Sequence, residues 1–152
     1  MLKVHDVAPL FTLEAQDGRL VNLKDFRGQK VVLYFYPQDF TNGCTLQAKN
    51  FAKFYDEFSH LGYTVIGISK DSVASHRDFC DTFQIPFLLL SDPQRSAIKA
   101  YGVLQDVVYY GDIAVDTKRT TFVIDEKGII THVFPDVDPK TSTLSLLESL
   151  KK

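Results

Sequence analysis

The chain has 152 residues, 45% of them apolar and 24% charged, and a formal net charge of −2. That length and balance suit one domain over residues 1–152 with its own core, and the near-neutral charge excludes the basic surface of a nucleic-acid binder. No apolar run reaches membrane-spanning length, and the start "MLKVHDVAPLF" lacks the core of a signal peptide.

Along the chain, "FTLEAQDGRLVNL" reads as two short strands around the turn Asp17-Gly18, a strong hairpin signal. "KVVLYFY" (30–36) is nearly all apolar, as expected of a strand buried on both faces. In "CTLQAKNFAKFYDEFSHLGY", Leu46, Phe51, Phe54, Tyr55, Phe58 and Leu61 mostly recur at helical steps, and Gly62 is the expected terminator. A second buried strand follows over 63–69. A helix over 72–83 then carries Val73, His76, Phe79, Cys80 and Phe83 on one stripe. Residues 86–92 form a third strand and 94–101 a short helix. The segment 103–118 lacks a clear period and reads as a loop or an irregular strand. "RTTFVIDEKGIITHVF" (119–134) is two strands around Glu126-Lys127-Gly128, and "PKTSTLSLLESLKK" is a closing helix. This alternation predicts a three-layer α/β sandwich with a mixed central sheet and an N-terminal β-hairpin.

Two cysteines in 152 residues make no disulfide scaffold and suit a reducing compartment, so a cytoplasmic protein is expected. Cys44 stands where a buried strand gives way to a helix, the place where α/β folds usually hold their sites. A helix N-terminus has unpaired N–H groups and partial positive charge, and both stabilise a thiolate, the nucleophilic form of cysteine. The alternative is small apolar filler. The flanks Thr41-Asn42-Gly43 and Thr45 are polar and turn-forming, which favours the reactive reading. By residue type alone Pro37 also fits a strand end, Thr41 a helix N-cap, and Arg119 a surface charge.

The spacing Pro37, Thr41, Cys44 resembles the Pro-x-x-x-Thr-x-x-Cys signature of the peroxiredoxins. The longer strings "YFYPQDFTNGCT" and "RTTFVIDEKGII" are similar to the bacterioferritin comigratory protein, or peroxiredoxin Q, branch. The resemblance implies a thioredoxin-like fold and the reduction of hydrogen peroxide and alkyl hydroperoxides. It makes Cys44 the peroxidatic nucleophile, Thr41 a hydroxyl donor to the sulfur and the peroxide, Pro37 a wall that screens the sulfur, and Arg119 the cation that holds thiolate and peroxide. Many members of the branch carry a resolving cysteine five residues after the first, but that position is Lys49. Another subgroup places the resolver in the next helix, where Cys80 stands, and an intramolecular Cys44–Cys80 disulfide reduced by thioredoxin or a similar dithiol is expected. Buried filler is the alternative for Cys80, since it shares the stripe of Phe79 and Phe83. Asn42 departs from the branch, which often has proline before Gly-Cys, and this leaves a more flexible loop.

A thioredoxin-type reductase needs C-x-x-C, but Thr41 and Gln47 occupy the positions three before and three after Cys44. A non-enzymatic redox sensor or chaperone on the same fold is the remaining alternative. His5, His60, His76 and His132 are scattered, so no metal or other cofactor is expected, and His76 reads as a partly buried core residue. The expected partners are a peroxide and a dithiol reductant, with no nucleic acid or membrane. A monomer is expected, with a weak dimer across the loop edges as the alternative.

Overall fold

The Asp17-Gly18 turn closes a hairpin in which β1 (Thr12–Ala15) pairs antiparallel with β2 (Leu20–Asn22), and Gly18 supplies the left-handed φ of +85°. In the computed structural model, which describes residues 2–152, a 3₁₀ turn (Leu23–Phe26) leads into β3 (Lys30–Phe35). Then come α1 (Asn42–Lys53), α2 (Tyr55–His60), β4 (Tyr63–Ser69), α3 (Val73–Phe83), β5 (Leu88–Ser91) and α4 (Ser96–Ala100). The remaining elements are β6 (Leu104–Tyr109), β7 (Asp112–Thr117), β8 (Thr120–Ile124), β9 (Ile130–Phe134) and α5 (Ser142–Leu150).

Seven strands form one mixed sheet in the order β2-β1-β5-β4-β3-β8-β9. The pairs β3–β4 and β4–β5 are parallel, and the other pairs are antiparallel. The run on β3 is apolar from Val31 to Phe35 because both faces are covered. Leu33 and Phe35 enter a cluster with Ile66, Tyr101 and Phe122, while Val32, Tyr34 and Tyr36 enter one with Phe51, Phe79 and Leu146. The first cluster includes Ala97 and Ile98 of α4, and the second takes residues from α1, α2, α3 and α5. The expected three layers are therefore present.

One expectation is corrected and one open reading is decided. The helix predicted through 44–62 breaks at Phe54, which has a non-helical backbone (φ −101°, ψ 13°), and its first piece begins two residues before Cys44, at Asn42. Phe51 and Phe58 remain buried on either side of the break, so the apolar spacing survives it. Of the two readings of 103–118, loop or irregular strand, the strand holds: β6 and β7 form a separate two-stranded antiparallel ribbon. Its turn, Tyr110-Gly111, has positive φ at both positions, which matches the twist of a tight hairpin. Among the described residues no helix is long and apolar enough to cross a membrane.

Candidate active site

The register of two strands sets the site. Phe35, the last residue of β3, pairs with Thr120, the first of β8. Arg119 therefore stands beside the point where the chain leaves the sheet through Tyr36 and half-buried Pro37. Four residues further on, Thr41 caps α1 in an extended conformation, and its hydroxyl accepts from the Cys44 N–H at 3.4 Å. The same hydroxyl donates to the Gln38 carbonyl at 3.0 Å, so its proton is not directed at the sulfur. Cys44 lies in the first turn of α1, where no acidic residue opposes the positive end of the helix.

Cys44 is only 2% exposed, and its sulfur meets a charge instead of pure hydrocarbon. Arg119 Nη2 donates to Sγ at 3.2 Å, and Nη1 donates to Oε1 of Gln47 at 2.7 Å. Among the described residues no carboxylate pairs with this guanidinium, which leaves its charge directed at the sulfur. Gly43 makes room for it, since a Cβ there would sit 3.2 Å from Arg119 Nη2 and 3.4 Å from Pro139 Cγ. The strand end carrying Arg119 is fixed from the other side by the Val137 N–H, which donates to the Arg119 carbonyl at 3.0 Å.

Of the five residues singled out in the sequence, the structure gathers Pro37, Thr41, Cys44 and Arg119 at one end of the sheet. Cys80 lies on α3 and is 7% exposed, and both cysteines are free thiols. Burial, followed by the nearby Asp39 and Asp81 charges, pushes the Cys80 thiol up to about 12. Gln47 and Gly43 were not singled out. Gln47 stands one helical turn after Cys44 and is fully buried, with its Nε2 unpaired. A polar side chain three residues from the cysteine, on the buried face of a predicted helix, was the available signal.

The AhpC/TSA family matches residues 4–133 of the chain. A Coxiella burnetii protein named as a peroxiredoxin bcp is 43% identical over 136 residues, covering 90% of each chain. Peroxiredoxin Q of rice, a chloroplastic protein, is 42% identical over 147 residues, which are 94% of this chain and 65% of the rice protein. Among solved structures, a cysteine mutant of Xylella fastidiosa PrxQ superposes with a TM-score of 0.94 at 28% identity, covering 99% of this chain and 96% of that one. The Xanthomonas campestris bacterioferritin comigratory protein, studied for alkyl peroxide reduction, superposes at 0.88 with 29% identity over 93% and 90% of the two chains. The chain belongs to the AhpC/TSA family, as a peroxiredoxin of the bacterioferritin comigratory protein/peroxiredoxin Q branch.

Proposed function

We propose that this thiol peroxidase reduces hydrogen peroxide and alkyl hydroperoxides through Cys44, with Cys80 as its resolving partner. The observation that supports it most is the 3.2 Å contact between Arg119 and the Cys44 sulfur at the mouth of α1. The Cys44 thiolate attacks one peroxide oxygen, forming an S–O bond as the O–O bond breaks. The departing oxygen leaves as an alkoxide or hydroxide and takes up a proton. Arg119 holds both the sulfur and the oxygen that gains charge, in an orientation Gln47 fixes. Thr41 turns its hydroxyl from the Gln38 carbonyl to the peroxide once that ligand arrives, and Pro37, which has no N–H, walls the pocket.

The resulting Cys44 sulfenic acid condenses with the Cys80 thiol, forming the S–S bond and releasing water. Thioredoxin or a similar dithiol then reduces the bridge and becomes a disulfide itself. The enzyme works as a monomer in a reducing compartment, the cytoplasm. The test is peroxide turnover with thioredoxin for the parent, Cys44→Ser and Cys80→Ser. Cys44→Ser is expected to be inactive. Cys80→Ser is expected to keep one oxidation event per chain and to lose thioredoxin-dependent turnover. Full turnover by Cys80→Ser would remove Cys80 from the cycle, and activity in Cys44→Ser would reject the whole reading.

A further inference from the structure

Asp39 sits in the loop between β3 and α1 and is 4% exposed. A carboxylate buried there needs partners. The Tyr36 hydroxyl donates to its Oδ1 at 2.6 Å, and the Ser75 hydroxyl donates to its Oδ2 at 2.8 Å. Nδ1 of His76 meets the same Oδ2 at 2.6 Å. His76 is fully buried, and its other ring nitrogen faces the Leu90 carbonyl at 3.0 Å. Both ring nitrogens therefore have an oxygen partner within hydrogen-bond distance. The Asp39 N–H donates at 2.8 Å to Asp71 Oδ2, which also accepts from the Ser69 hydroxyl at 2.6 Å.

The next residue grips the same helix. Phe40 holds a left-handed φ of +65°, an uncommon and costly conformation for a bulky side chain. Its ring meets Phe79 edge-on at 5.2 Å and lies 6.1 Å from Phe83. Ser75, His76, Phe79 and Phe83 all belong to α3 and lie on both sides of Cys80 in sequence. Two consecutive residues of the loop that leads to Cys44 thus hold the turns of α3 that carry the second thiol. The peroxide chemistry uses none of these bonds.

Taking Cys80 as the resolving thiol, we propose that the Asp39–His76 pair is a latch that gates disulfide closure. While it is shut, α3 stays wound and Cys80 stays buried. When it opens, the turns around Cys80 unwind and the thiol reaches the Cys44 sulfenic acid. The latch then sets the lifetime of that sulfenic acid, and so the chance that a second peroxide converts it to sulfinic acid. Asp39 and His76 are positioning residues for the second step and take no part in the first.

The test separates the two steps. Parent, Ser75→Ala and His76→Gln are mixed with hydrogen peroxide, quenched in acid and weighed intact over time. The gain of one oxygen reports the sulfenic acid, and the later net loss of two hydrogens reports the bridge. Closure is expected to be about fivefold faster in His76→Gln and about twofold faster in Ser75→Ala, with the first oxidation unchanged within about twofold. Amide exchange is expected to quicken across α3 and not in β3 or β4. If His76→Gln does not fold, Ser75→Ala carries the test alone. Closure at the parental rate or slower overturns the latch, and so does faster exchange in β3 and β4 together with α3, which marks a merely structural pair. A parent that never loses two hydrogens removes the resolving role of Cys80, and the latch falls with it.

Discussion

At Cys44 the charged neighbour is a single guanidinium, and its position rests on two small features. Gly43 leaves the space it fills, and Gln47 fixes its second nitrogen. Gly43→Ala sets a methyl 3.2 Å from Arg119 Nη2, so the guanidinium has to shift by a few tenths of an ångström from the place it holds beside the sulfur. Alanine otherwise suits a helix better than glycine. Peroxide oxidation is therefore expected to slow about tenfold or more while stability to urea holds or rises, measured by competition kinetics and by denaturation. Gln47→Leu is expected to slow oxidation by a similar factor, since the fork would then lose one of its two anchors. The Cys44 motif was legible in the sequence because all its parts lie within a few residues of one another. Arg119 was legible only by resemblance. Its contact with Cys44 spans 75 residues and depends on the pairing of β3 with β8, which no local pattern encodes.

The first turn of α1 carries a capping duty at Thr41, and the proposed reaction adds a chemical one. Thr41→Ser keeps the hydroxyl, whereas Thr41→Val removes it. Loss of the cap is expected to cost about 1 kcal/mol of stability in Thr41→Val and much less in Thr41→Ser, read from urea midpoints. If the hydroxyl also serves the peroxide, Thr41→Val slows oxidation about a hundredfold and Thr41→Ser restores most of the rate. Equal oxidation rates in the two variants would leave Thr41 with the cap alone. The elements themselves were largely readable. The strand over 63–69 and the helix over 72–83 match β4 and α3 to within a residue, because a continuous apolar run and a clean stripe mark them. The break at Phe54 was not readable, since Phe51 and Phe58 keep helical spacing across it.

The whole molecule buries its second thiol inside the cluster that also contains Cys44, and that burial has a measurable consequence. Folding holds Cys80 protonated up to about 12, whereas an unfolded cysteine ionises near 8.5. Above that lower value the unfolded chain releases a proton that the folded chain retains, so stability falls as pH rises through this window. Below it, the thiol is protonated in both states and contributes no pH dependence. Urea midpoints at pH 7 and pH 10 are expected to drop further for the parent than for Cys80→Ala, and an equal drop would place the Cys80 thiol in contact with water. The sheet order and the β6–β7 ribbon lay beyond the sequence. The ribbon exposes Val108, Tyr110 and Ile113, so burial imposes no alternation on its residues. The peroxide step is tested most directly in the Cys80→Ser background, by the second-order rate at which hydrogen peroxide oxidises Cys44 with Arg119 present or replaced by Gln. A fall of about a hundredfold or more is predicted, with folding unchanged. An unchanged rate would contradict the assignment of Arg119 as the group that makes this sulfur a peroxidase.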